Sequence, residues 1–270
     1  LEKVGAITVK GTSMAPRAGN QGQRAVETPA GMLNSVGLEN PGSDYFLQET
    51  LPQLRQYDVP VIVNIDGSSP EEYGRLAAKL DVDGVAAVEI NVSCPNVNDG
   101  GIIFGTDAKS LAKVVEQVKK HTSKIVITKL SPNVTSITEM AKAAEAAGTD
   151  VLSLINTLIG MKIDIQRQCP AMGNVTGGLS GPCIRPVAVR MVYQVAQAVK
   201  VPIIGMGGIM NAEDAVEFFL AGASAIAVGT ANFINPSIAE TISPGILEYM
   251  DRHNIRQIQD MIGLALPGRN

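Results

Sequence analysis

Apolar and polar positions alternate along this chain in a regular rhythm of short runs and longer periodic stretches. Seven runs are β-branched or apolar enough to be strands: residues 6–11 (AITVKG), 59–65 (VPVIVNI), 85–93 (VAAVEINVS), 124–130 (KIVITKL), 150–157 (DVLSLINT), 201–208 (VPIIGMGG) and 223–230 (ASAIAVGT). Between them lie stretches with helical spacing of apolar residues, at 69–80, 108–121, 136–148, 186–200 and 211–222, several opened by a Ser, Asp or Asn cap. The order is strand, helix, strand, helix. Strands that read as continuous apolar runs are buried on both faces, so the pattern predicts a parallel sheet covered by helices.

An open doubly wound sheet and a closed (β/α)8 barrel both satisfy that pattern. The polar residues discriminate. Nearly every run ends in groups suited to chemistry: Lys10 and Gly11, Asn64, Asn91 and Cys94, Lys129, Asn156 and Thr157, Gly207 and Gly208, Gly229 and Thr230. A barrel gathers all its C-terminal strand ends at one mouth, whereas an open sheet gathers only those at its switch point. The expectation is therefore α/β, a (β/α)8 barrel forming one domain over residues 1–270. A barrel of this class needs an eighth strand, which is expected upstream of Leu1, so the chain reads as N-terminally incomplete. Two long connections, 12–58 and 158–185, are rich in Gly, Pro and Asn and read as loops or short hairpins over the mouth, the first leading into a helix.

Composition narrows the function. Lys+Arg 22 against Asp+Glu 26 gives a net charge of -4, with no block of like charges to bind nucleic acid. No apolar stretch approaches the roughly 18 residues of a membrane span, and the first residues lack the order of a signal peptide, so a cytoplasmic protein is expected. Three cysteines and two histidines without ligand spacing suit neither a disulfide framework nor a metal site. A redox centre here would be an organic cofactor.

GMGGI (205–209) and AVGTA (227–231) follow the last two runs, and glycines there let backbone N–H groups approach a phosphate closely. The plainer alternative is that they only permit tight turns. No strand leads into a full dinucleotide fingerprint with its acidic partner. Lys10 and Lys129, at the ends of apolar runs, could be Schiff-base nucleophiles, cations for a developing anion, or rim residues. Cys94 lies in a polar loop with glycines at 100, 101 and 105. Its thiol, with an ordinary pKa of about 8.5, could act as a general base. Cys169 and Cys183 read as buried, inert thiols.

Taken in order, VKGT, GMLNSVGLENPG, EINVSCPN, VITKLSPN, INT, NVTGGLSGP, IIGMGGI and AVGT span nearly the whole chain and resemble the dihydroorotate dehydrogenase family. That resemblance implies a (β/α)8 barrel that oxidises dihydroorotate to orotate at one FMN per chain, in pyrimidine biosynthesis. It implies Cys94 as the base, and Lys10, Asn34, Ser35, Val36, Gly37, Leu38, Asn91, Asn156 and Thr157 as substrate ligands. It implies Lys10, Gly11, Asn64, Asn91, Lys129, Ile155 and Gly181 at the flavin, with Gly207, Gly208, Gly229 and Thr230 at its phosphate. Within the family the pattern is most similar to the NAD-linked class (1B). That class implies a homodimer of catalytic subunits within a heterotetramer, each working with an electron-transfer subunit that carries FAD and an iron-sulfur cluster. A fumarate-reducing class, a dihydropyrimidine dehydrogenase-like reductase, an inactive truncated barrel and a Schiff-base aldolase are the other readings.

Overall fold

The structure, a computed structural model, describes residues 3–92 and 104–268. In chain order come β1 (Ile7–Thr12), β2 (Ala25–Thr28) and β3 (Gly31–Asn34), then short helices α1 (Gly42–Tyr45) and α2 (Leu51–Leu54) joined by a π-turn at Phe46–Thr50. Next are β4 (Val61–Ile65), α3 (Pro70–Lys79), β5 (Ala87–Asn91), α4 (Ala108–His121), β6 (Ile125–Lys129), α5 (Ile137–Ala146) and β7 (Val151–Leu154). The long connection after β7 holds β8 (Leu158–Met161), β9 (Ile163–Asp164), β10 (Cys169–Pro170) and β11 (Thr176–Ser180). The chain then passes through α6 (Arg185–Ala196), β12 (Ile203–Met206), α7 (Ala212–Leu220), β13 (Ala225–Ala227), α8 (Ala231–Ile234), α9 (Ile238–Arg252) and α10 (Ile258–Met261).

Each run that patterned as a strand contains one, and these are ordered β1-β4-β5-β6-β7-β12-β13 in a single sheet. The pairs β1–β4, β4–β5, β5–β6 and β12–β13 are parallel. The order follows the chain without reversal. A doubly wound sheet reverses its order at a switch point, so the topology is that of the barrel class. Val61, Val63 and Ile65 of β4 and every residue from Ala87 to Ile90 of β5 are buried, as continuous apolar strands require.

The chain forms two compact units. One comprises Leu1–Asn20, Val36–Leu130 and Glu139–Leu152, and the other Gln21–Ser35, Ser131–Thr138 and Ser153–Asn270. In the first, α3 starts where the Ser69 side chain accepts the Glu72 N–H at 3.2 Å, with Pro70 inside the first turn. The α4 helix starts where Asp107 accepts the Ser110 N–H at 2.7 Å and buries Leu111, Val114, Val115 and Val118 along one stripe. In the second unit, β2, β3, β11 and β8 form an antiparallel sheet, so both long connections contain hairpin strands. Among the described residues no helix is long and apolar enough to cross a membrane.

One expectation changes. Cys183 is exposed and Cys169 half-buried, because both lie in the glycine-rich connection rather than on a core-facing stripe. The helix α9 runs through Pro244, whose ring and missing N–H ordinarily break a helix. Its stripe of Ile238, Ile242, Ile246 and Met250 is buried, and Gly245 leaves no room for a Cβ against Ala212. Tertiary packing overrides local preference there.

Leu111 is fully buried in the α4 stripe, so Leu111→Ala is expected to lower unfolding stability by about 2–5 kcal/mol in urea titrations, whereas the exposed Ile159→Ser is expected to change it by less than about 0.5 kcal/mol.

Candidate functional site

In the first unit, register brings polar strand ends together. The β4–β5 register sets Asn64 opposite Glu89, and the β5–β6 register sets Asn91 opposite Lys129. Asn64 Nδ2 donates to Glu89 Oε2 at 2.6 Å, and Lys129 Nζ lies 4.0 Å from the same oxygen. Glu89 is only 3% exposed. A buried carboxylate is tolerated when an amide and an ammonium compensate it, so these three side chains form one charge-balanced group. Gly11 sits beside it, and a Cβ there would stand 3.1 Å from Asn64 Oδ1. Between Val9 and Thr12 the β1–β4 register shifts, and Lys10 and Gly11 occupy the irregularity. Such a bulge re-aims a side chain relative to a regular strand.

Asn91, at the end of β5, is anchored through its carbonyl, which accepts the buried Tyr73 hydroxyl at 2.8 Å. The Tyr73 ring meets Phe104 edge-on with centroids 6.1 Å apart, and Gly105 leaves a Cβ only 2.7 Å from the Val92 carbonyl. Cys94, Gly100 and Gly101 lie outside the described residues.

Val36, Gly37 and Leu38 also belong to the first unit, and Gly37 and Leu38 have φ of +76° and +57°. A Cβ at Gly37 would stand 2.5 Å from Asn20 N, which itself donates to the Val36 carbonyl at 3.0 Å. Asn40 ties the segment down. Its Nδ2 donates to Ser13 Oγ and to the Leu38 carbonyl, each at 2.8 Å, and its Oδ1 accepts the Gly42 N–H at 2.9 Å. Its backbone pairs in both directions with Arg17. Arg17 Nη2 in turn lies 3.5 Å from Asp66 Oδ2.

Asp66 is 1% exposed, and neither of its carboxylate oxygens accepts a hydrogen bond among the described residues. Burial pushes its carboxyl up from the ordinary 3.8 to about 6; Arg17 and Lys10 pull the other way, and the negative charge of Glu72 adds to the rise. Asn40, Arg17, Asp66 and Glu89 are absent from the residues picked by sequence. Glu89 alone carried a signal there, a single charge inside an apolar run.

The second unit holds the remaining predicted residues. Asn34 ends β3, pairs with Gly178 and donates to its carbonyl from Nδ2 at 3.4 Å, while the Ser35 N–H bonds to the Arg24 carbonyl at 2.8 Å. The Asn156 side chain accepts the Thr157 N–H at 2.8 Å, and Asn133 bridges the Thr157 carbonyl at 2.9 Å to the Ile159 N–H at 3.0 Å. Ile155 is buried and donates its N–H to the Met206 carbonyl at 3.0 Å.

The β12–β13 register pairs Met206 with Ala227, so the GMGG and AVGT endings leave neighbouring strands side by side. Gly207 and Gly208 have φ of +124° and +81°. A Cβ on Gly207 would stand 3.0 Å from Ala188 Cβ, and one on Gly208 2.8 Å from the Gly181 carbonyl. Gly181, Gly207 and Gly208 thus pack as bare backbone, with Ile155 at van der Waals distance, and Gly229 faces open space. The loops can offer N–H groups to an anion without side chains intervening.

A family model described as dihydroorotate dehydrogenase matches residues 1–250. The chain is 58% identical over 267 residues to the catalytic subunit of dihydroorotate dehydrogenase B (NAD(+)) of Geotalea uraniireducens, covering 98% of this chain and 88% of that protein. Proteins of the same name from Trichlorobacter lovleyi and Lachnoclostridium phytofermentans are each 56% identical, covering 99% and 97% of this chain and 88% of each of theirs.

Because the Asp66 carboxyl holds its proton more tightly folded than unfolded, its contribution to stability is fully present below about pH 4 and is lost as pH rises to about 6. Asp66→Asn is therefore expected to gain stability relative to wild type across that interval, as read by urea titrations at pH 4.5 and 7. A difference independent of pH would contradict the assignment.

Proposed function

The chain belongs to the dihydroorotate dehydrogenase family, and from that premise we propose that it oxidises dihydroorotate to orotate in pyrimidine biosynthesis as an NAD-linked catalytic subunit. The observation that carries this reading is the 58% identity, sustained over 98% of the chain, to a protein named as the catalytic subunit of the NAD(+) enzyme.

The family's FMN fits the residues present. Gly207 and Gly208, at positive φ, pack as bare backbone against Ala188, Arg185 and Gly181, a turn whose N–H groups suit a phosphate. Asn64 and Lys129, beside the buried Glu89, supply a donor amide and a cation suited to a ring edge that gains negative charge on reduction. Gly11, Asn91, Ile155 and Gly181 would complete the flavin site, with Gly229 and Thr230 at the phosphate. When bound, the flavin supplies the acceptor for the hydride that leaves carbon 6 of the substrate.

The chain's own residues manage the proton and the orientation. Cys94 takes the proton from carbon 5 as the carbon 5–carbon 6 double bond forms, a role open to a thiol whose ordinary pKa of about 8.5 lies near neutrality. Lys10 and the Asn34–Leu38 segment hold the substrate carboxylate, and the amides of Asn91 and Asn156, with the Thr157 hydroxyl, match a pyrimidine edge that both donates and accepts. The hydrogen bonds made by Asn20 and Asn40 hold Val36 to Leu38 in a set conformation, so this segment needs little ordering when substrate arrives.

Electrons leave through a second subunit. We assign FAD and an iron-sulfur cluster to that partner, and a homodimer of catalytic subunits within a heterotetramer to the assembly, working in the cytoplasm. The support is the match to NAD-linked catalytic subunits together with the lack of a dinucleotide fingerprint in this sequence.

Cys94→Ala is expected to keep FMN binding and to slow flavin reduction by dihydroorotate about 10²–10⁴-fold, the contribution of a positioned base. Cys94→Ser is expected to recover part of that rate, mainly at high pH. Rapid-mixing absorbance measures both, and an unchanged rate in Cys94→Ala would remove Cys94 from the mechanism.

A further inference from the structure

Next to the Gly207–Gly208 turn lies an ion-pair cluster that the residues assigned so far leave out. Arg185 is the first residue of α6, and its Cβ lies 2.8 Å from where a Cβ on Gly208 would stand. Its Nη1 pairs with Asp214 Oδ1, and its Nε lies 3.1 Å from Glu217 Oε2. Asp214 is 4% exposed in the first turn of α7. Its other oxygen accepts the Met210 N–H at 2.8 Å, and its own N–H bonds to Asn211 Oδ1 at 2.9 Å. The loop leaving β12 is therefore held at both ends. Gly208 packs on Arg185, and Met210 hangs from the carboxylate that Arg185 neutralises.

A buried carboxylate beside a loop that receives a dianion is a conflict of charge. We propose that Arg185 is a positioning residue for the anionic end of the cofactor: it cancels the Asp214 charge and fixes the Gly207–Met210 backbone in its phosphate-receiving form. The inference rests on the FMN reading above and extends it to residues that do not themselves touch the flavin. Its particular consequence is selectivity. Loss of the guanidinium weakens binding of a flavin that carries phosphate and spares one that lacks it. Arg185 offers a planar fork to two carboxylates on α7, which a lysine replaces only as a point charge.

The experiment titrates the full chain, stripped of flavin, with FMN and with riboflavin by flavin fluorescence, alongside thermal melting without flavin. Arg185→Gln is expected to weaken FMN about tenfold and riboflavin less than about twofold, the scale of one charge-assisted contact. Adding Asp214→Asn to that variant is expected to restore part of the FMN affinity, because the uncompensated charge is gone. Glu217→Gln, which alters only the half-exposed outer carboxylate, is expected to leave both affinities unchanged. Should Arg185→Gln melt early, Arg185→Lys carries the comparison, with a smaller loss confined to FMN. Equal losses for FMN and riboflavin, or none for FMN, would overturn the inference while leaving the FMN reading intact. A wild-type chain with no preference for FMN over riboflavin would overturn both.

Discussion

A carboxylate buried inside a parallel sheet must be neutralised by its neighbours, and Glu89 imposes that condition on three adjoining strands. Its oxygen takes a 2.6 Å hydrogen bond from Asn64 on one side and faces Lys129 at 4.0 Å on the other. Both partners reach it only in the observed register, since a slip of one residue would turn each side chain to the opposite face and leave the charge uncompensated. The same register orders the ends of β4, β5 and β6, where Asn64, Asn91 and Lys129 stand. Structure and chemistry share one requirement here: an amide and a cation that balance a buried charge are also suited to an electron-accepting ring.

The second unit meets a different requirement by different means. Backbone N–H groups can hold an anion, and glycines let it approach them closely. The parallel register of β12 and β13 sets two glycine-containing loops side by side, and positive φ at Gly207 and Gly208 lets the first turn tightly against Gly181 and α6. The helices that flank this loop are tied by paired charges, Arg185 of α6 meeting Asp214 and Glu217 of α7.

Much of this was legible in the sequence, for identifiable reasons. Strands buried on both faces announce themselves as apolar runs, and helices opened by Ser69, Asp107 and Asn211 carry their start signals locally. The glycine pairs and the polar strand ends were also visible. Facts that depend on register or on distant partners were not. Nothing near Glu89 in the chain names Asn64, 25 residues away, as its partner. Asp66 becomes notable only once Arg17 is brought to it and water is excluded from it. The bulge that carries Lys10 and Gly11 is a property of two strands together. At Pro244 local preference gives way to a buried stripe. Cys94 rests on sequence and on resemblance to its family.

The most direct measurement is the anaerobic titration of the FMN-loaded chain with dihydroorotate, followed by flavin absorbance and by orotate formed. One equivalent of dihydroorotate is expected to bleach one equivalent of flavin and to yield one of orotate, with dihydrouracil inactive. A flavin that stays oxidised, or one reduced by dihydrouracil instead, would contradict the proposed function.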